Sequence, residues 1–303
     1  MEYGKVDEKL LDKINLSLPK DHPQTTAILA KQKAGKPKVH VGMAKWGIPQ
    51  WVGKLYPKKT QPKDFLEQYA KQFNCLEFNA IFYGLPTLEQ VKIWQSKVAK
   101  DFKFCPKFHE TLTHRKRLKD FREELDKFLS VADALGKNLG PVFLMPHPQM
   151  GAKHLETIQI FLESLPKEIE VFTEFRHPEF MQKQLMDEVY PWMEKKKVGS
   201  IITDTAGVRE GVHMRLTSPK SFIRFVGNSL HSTDYKRIDD WVKRIKSWNE
   251  KGIKENYFFM HMHDERYSPE LSKYLIEQLN KKCKLDIQMP KFYNEPGKNL
   301  FDV

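Results

Sequence analysis

Long apolar runs are missing from this 303-residue sequence. No unbroken stretch approaches the roughly 20 apolar residues that a membrane-spanning helix needs. Residues 1–10 mix both charge signs and lack the apolar segment of a secretory signal. Cysteine is scarce: Cys75, Cys105 and Cys283 form no spacing motif and cannot all pair. That excludes a disulfide-stapled scaffold and suits a reducing compartment. Acidic residues are outnumbered, 39 against 51 Lys plus Arg, for a formal net charge of +12. The imbalance favours anionic partners, from small phosphates to nucleic acid. The expectation is a cytoplasmic protein with no membrane association. Disorder is excluded by what is present, since 40% apolar and 12% aromatic composition supplies a substantial core.

No internal repeat is visible, but an alternation of strand and helix patterns is. Short apolar runs bounded by polar, Pro or Gly residues occur at 39–45, 75–80, 102–107, 140–145, 169–175, 199–204, 221–226 and 256–262. Such runs are typical of strands buried on both faces. Helical stripes lie between them: Phe121, Leu125, Phe128, Ala132 and Leu135 share one face, as do Tyr235, Ile238, Trp241, Val242, Ile245 and Trp248. Thr87 and Gln90 are spaced as a capping box, and Pro269 follows Ser268 at a first turn. The segment between Asp204 and Ser221 holds Gly207, Gly211 and Pro219 with no apolar stripe. Eight strands with mostly helical, right-handed crossovers predict a single (β/α)8 barrel with a degenerate or missing sixth helix. Residues 1–38 read as a polar extension, 39–280 as the barrel and 281–303 as a tail.

In such a barrel the functional groups stand at the C-terminal strand ends. This turns the strand order into a site. Glu77 and Asn79 are two apart, and so on one face, as are Glu174 and Arg176. Glu77, Glu174 and Asp204 balance Lys107, Arg176 and Arg224, a mixed set that can clamp an anion and still keep a base. The alternative is that these six neutralise one another in buried ion pairs. Glu77, Glu174 and Asp204 are the candidate catalytic carboxylates, with Glu77 and Asn79 orienting substrate. Lys107, Arg176 and Arg224 are the candidate anion-binding cations. Trp46 and Tyr83 offer stacking surface. His114, His177, His261 and His263 complete the binding set as hydrogen-bonding and acid–base groups. No cofactor or metal ligand is assigned, although the His261-x-His263 spacing, with His177, Glu174 and Asp204, leaves zinc as an alternative.

The order Trp46, Trp51, Gly53, Tyr56-Pro57, Glu77-Phe78-Asn79, Phe82-Tyr83, Trp94, Phe104 with Lys107, Leu112-Thr113-His114, Glu174-Phe175-Arg176-His177 and Asp204 resembles the YecE-like family. That family is also called the domain of unknown function seventy-two. The resemblance runs from about residue 39 to 280. It implies a TIM-like barrel with an electropositive, aromatic-lined pocket, and no established activity. The sequence departs from the family pattern at Ala44-Lys45-Trp46, at Met145-Pro146-His147-Pro148, at Arg224-Phe225-Val226-Gly227, where a usual His is absent, and around His261 to Asp264. These departures suggest a divergent subgroup.

Three functions follow. The first is an enzyme acting on a phosphorylated or other anionic substrate. The second is a non-catalytic nucleic-acid-binding module, suggested by basic clusters at 114–119 and 236–246. The third is a metal-dependent hydrolase resembling barrel endonucleases, which rests on fold analogy.

Overall fold

The computed structural model describes residues 3–293. Eight parallel strands follow in chain order: β1 (Lys38–Met43), β2 (Cys75–Phe78), β3 (Lys103–Pro106), β4 (Val142–Leu144), β5 (Val171–Thr173), β6 (Gly199–Asp204), β7 (Lys220–Gly227) and β8 (Glu255–Met262). Except between β3 and β4, each pairs with its sequence neighbour, and β1 pairs with β8. Between β3 and β4 the closure is reduced to two single bridges, Phe104 to Leu139 and Lys107 to Phe143. The result is a nearly closed (β/α)8 barrel.

Alternation along the strands makes two cores. Cys75, Cys105, Phe143, Phe172, Ile201, Phe222, Tyr257 and Phe259 fill the interior. Their neighbours in sequence, such as Leu76, Phe104, Val142, Ile202, Ile223 and Phe258, face the helices. Gly42 of β1 is required by close packing, because a Cβ there would lie 2.1 Å from the Cys75 carbonyl oxygen. At the N-terminal end of the barrel His40 lies 2.8 Å from Glu255, and Lys220 pairs with Glu255 and Glu170 at 2.9 Å each.

The helices are α1 (Pro23–Ala30), α2 (Phe65–Ala70), α3 (Ala80–Tyr83), α4 (Leu88–Ser96), α5 (Arg122–Ala134), α6 (Leu155–Glu163), α7 (Lys183–Lys196), α8 (Ser232–Glu250) and α9 (Ser268–Cys283). The stripes on α5 and α8 are buried against the strands, including Phe128, Trp241 and Trp248. Thr87 caps α4 by accepting from the Gln90 amide at 3.2 Å.

The sixth crossover, from β6 to β7, carries no α-helix, only a 3-10 turn at Arg209–Gly211. The stretch before β1 fills the gap. Thr25 of α1 donates to the Met214 carbonyl and accepts from the Leu216 amide, both at 2.8 Å. Gln24 bonds Glu194 of α7 at 3.0 Å, and Trp248 of α8 donates to Asp21 at 3.1 Å. Helix α1 therefore lies between the helices that flank the missing one. After α9 the chain straps back over the barrel, where the Tyr293 amide donates to the Lys54 carbonyl at 2.7 Å. The rest of the tail, and residues 1–2, lie outside the described residues.

Candidate functional site

Two residues beyond the interior-facing Cys75, Cys105, Phe143, Phe172, Phe222 and Phe259 come Glu77, Lys107, Met145, Glu174, Arg224 and His261. Period two carries all six to the C-terminal mouth.

Arg224 is the hub, only 2% exposed. Its Nε and Nη2 donate to the two oxygens of Glu77 at 2.9 Å each, and its Nη1 donates to Glu174 at 2.6 Å. His261 Nε2 lies 2.8 Å from Glu77, and Asn79 donates to the same carboxylate at 2.7 Å. Arg176 Nε donates to Glu174 at 2.6 Å, while its Nη2 is buried with no hydrogen-bond partner among the described residues. Burial alone would raise both carboxyls. Arg224 and His261 outweigh it at Glu77, which is held well below the usual range. Arg176 and Arg224 outweigh it at Glu174, which is brought down to about 2. Both are ionised, their oxygens occupied by cations.

Lys107 is different. Its ammonium sits 3.8 Å from the centre of the Phe82 ring, with no carboxylate oxygen within 4 Å among the described residues. Burial, followed by repulsion from Arg224 and Arg176, lowers it to about 8. His114 stands behind Phe82, edge-on to it at 5.0 Å and to His147 at 5.0 Å. Burial, then the charge of Lys107, brings His114 down to about 4, so it is neutral at neutral pH.

These groups open into a cavity of about 520 Å³. Trp46, Phe82, Tyr83 and Met145 supply apolar wall, and Lys45, Asn79, Lys107, Arg176, Arg224, His261 and Glu265 supply polar wall. Trp46 is braced by Phe78 and Trp94 at 5.7 and 6.2 Å. Tyr83 is 75% exposed at the rim.

Of the residues read from the sequence, Glu77 and Glu174 lie behind the cavity wall as partners of Arg224 and Arg176, His114 lies behind Phe82, and three more are not brought to this site. Asp204 is the main correction. Ile201 faces the interior, so Ile202 and Asp204 face the helices, and the Asp204 carboxylate accepts from Arg237 at 2.8 Å, Trp241 at 2.7 Å and Arg209. It ties β6 to α8 and is no candidate base. His177 caps the turn at Pro178–Met181, accepting from the Glu179 amide at 3.3 Å. His263 follows the end of β8, half-buried, and is not part of the cavity wall. Nor do three His, Cys, Asp or Glu side chains converge as metal ligands anywhere among the described residues. The zinc alternative lacks a ligand set there.

Glu265 on the cavity wall escaped sequence reading, as did two further contributors. Tyr3 lays its ring 4.0 Å from the Arg176 guanidinium, and burial, then Glu174, pushes its phenol up to about 12. No local pattern signals this, because the partners are far apart in sequence. Met145 was legible in principle, through its period-two relation to Phe143.

Among the described residues, no helix is long and apolar enough to cross a membrane. The family model described as "Protein of unknown function DUF72" matches residues 40–293. The chain is 28% identical over 262 residues to the UPF0759 protein YecE of Escherichia coli K12, covering 80% of this chain and 93% of that protein. A DUF72 family protein from Enterococcus faecalis V583 superposes with a TM-score of 0.67 at 16% identity, over 84% of this chain and 98% of its own. One from Thermotoga maritima MSB8 gives 0.62 at 20% identity, over 82% and 100%. At those identities the two structures bear on fold alone, and they share it. By sequence and by fold together, the chain belongs to the DUF72 family.

Proposed function

We propose that the strand-end cavity is the site of an enzyme acting on a small phosphorylated or otherwise anionic substrate. The observation that carries this reading is the charge arrangement. Three cations, Lys107, Arg176 and Arg224, face two carboxylates, Glu77 and Glu174, and the wall residues Lys45 and Glu265 add one charge of each sign, so among the described residues one positive charge is left unmatched. Arg176 lines the cavity, and its Nη2 has no hydrogen-bond partner among the described residues, so a donor there is left unsatisfied. Ion pairing among the strand-end charges is real, but it stops one charge short of neutrality. The carboxylates serve to hold Arg224 and Arg176 in place. With Glu77 and Glu174 held ionised far below neutral pH, Lys107 is the proton-transfer group whose affinity lies near working pH. The apolar wall of Trp46, Phe82 and Met145 lowers the local dielectric and suits a substrate with a flat or apolar portion.

Thermal unfolding with phosphate or sulfate, against chloride at equal ionic strength, tests the reading. A ligand at a hundredfold its Kd stabilises the fold by about 2.7 kcal/mol, enough for a rise of several degrees in Tm. Wild type is expected to show that rise and Arg176→Gln to lose most of it. Equal shifts in the two proteins would sink the proposal.

A further inference from the structure

Lys107 is a lysine in an unusual setting. Most lysines are solvated or ion-paired, whereas this one projects from the end of β3 into a walled cavity, its ammonium over the Phe82 ring and without a carboxylate in contact among the described residues. The charged groups that face it are Arg224 and Arg176 as repelling cations and Glu174 and Glu77 as carboxylates already bound to those arginines. His114 stands beyond the Phe82 ring. An amine placed beside cations and apolar surface is one that sheds its proton easily and then has a free lone pair. Arg176 lines the same cavity, and its Nη2 has no hydrogen-bond partner among the described residues, which suits it to an anionic group.

We propose that Lys107 forms an imine with the carbonyl carbon of a small anionic carbonyl compound whose carboxylate or phosphate is held by Arg176. This rests on the anion-site reading above and names the substrate class. The neutral Nζ adds to the carbonyl carbon, forming a C–N bond, and the carbonyl oxygen takes up a proton to give the carbinolamine. Loss of that hydroxyl with a second proton, as water, leaves the protonated imine. Counted from the ammonium form, the balance is one ammonium and one carbonyl to one iminium and one water, with no oxidant or reductant. The lowered proton affinity supports the step: at pH 7.5 about a quarter of Lys107 is neutral, against about one part in a thousand for an ordinary lysine.

The full chain is incubated with cyanoborohydride and either pyruvate or glyceraldehyde 3-phosphate. Intact mass and peptide mapping then locate the reduced adduct, and the two compounds distinguish a carboxylate from a phosphate anchor. The expected result is a single dominant adduct at Lys107 with one of them, formed at least tenfold faster than at any other lysine, suppressed by inorganic phosphate and absent in Lys107→Arg. Adducts scattered over surface lysines, with Lys107 no more labelled than the rest, overturn the inference. This mapping uses wild type alone, so a poorly folding variant does not blunt it. If phosphate still raises Tm in wild type while trapping at Lys107 fails, the imine is wrong and the anion site stands. If neither occurs, both fall.

Discussion

Lys107 and Arg224 show how the same strand-end address yields opposite residue behaviour. Arg224 is matched by two carboxylates and held firmly charged, its affinity for its proton raised despite burial. Lys107 is desolvated and repelled by Arg224 and Arg176 more than Glu174 and Glu77 attract it, so its charge is a burden on the folded state. The sign follows from linkage. Its folded proton affinity, about 8, lies below the value of 10.5 for a free lysine, so the unfolded chain binds more protons between those pH values and stability rises with pH there. Lys107→Met is therefore expected to be more stable than wild type at pH 7 by about 1–3 kcal/mol, the gap closing as pH approaches 10.5. Urea midpoints at pH 7 and pH 10 measure it, and a less stable variant at pH 7 would contradict the assignment.

At the scale of elements, the mouth and the outer shell use similar ion pairs for different ends. Asp204 joins β6 to α8 through Arg237 and Trp241, with burial opposed by Arg237 and Arg209 so that its carboxyl stays below the usual range. Asp204→Asn leaves the Arg237 charge buried and poorly matched, a change that costs about 3–5 kcal/mol. Because the side chain faces away from the cavity, the phosphate-induced rise in Tm is expected to persist on top of the lowered baseline. Thermal scans with and without phosphate read both quantities, and loss of the phosphate effect in a folded Asp204→Asn protein would return this residue to the site.

The whole molecule is a barrel completed by its own N-terminal stretch. The family match begins at residue 40, after α1, yet α1 fills the space left by the absent sixth helix and buries Thr25, Ile28 and Leu29. The same stretch continues to the mouth, where the Gly4 carbonyl accepts from the Gly207 amide at 2.8 Å and Tyr3 covers Arg176. A chain beginning at residue 35 should lose the burial of Ile28 and Leu29, about 1.5–3 kcal/mol for each, in addition to the two Thr25 hydrogen bonds. A chain beginning at residue 19 keeps them. The expected order of urea midpoints is full length, then 19 onward, then 35 onward well below both. Equal midpoints for the two truncations would show that α1 contributes nothing to closing the barrel.

Much of this was written locally. Eight apolar runs, each bounded by breakers, announce eight buried strands, and the lack of an apolar stripe between Asp204 and Ser221 announces the missing helix, because periodicity is a property of short segments. Period two likewise brings Glu77 to Asn79 and Glu174 to Arg176, pairs whose partners are already neighbours. Asp204 shows where that reading stops. The residue ends a strand like the others, but which parity faces inward depends on how β6 sits in the barrel, and only the packed structure puts Ile201 inside and Asp204 against α8. Tyr3 on Arg176 and α1 in the sixth gap are further beyond local pattern, since they join segments distant along the chain whose meeting is decided by the surface each leaves uncovered. The sequence by itself determined the elements and their faces. Tertiary structure decided which charges meet, and so left Lys107 with no carboxylate in contact among the described residues.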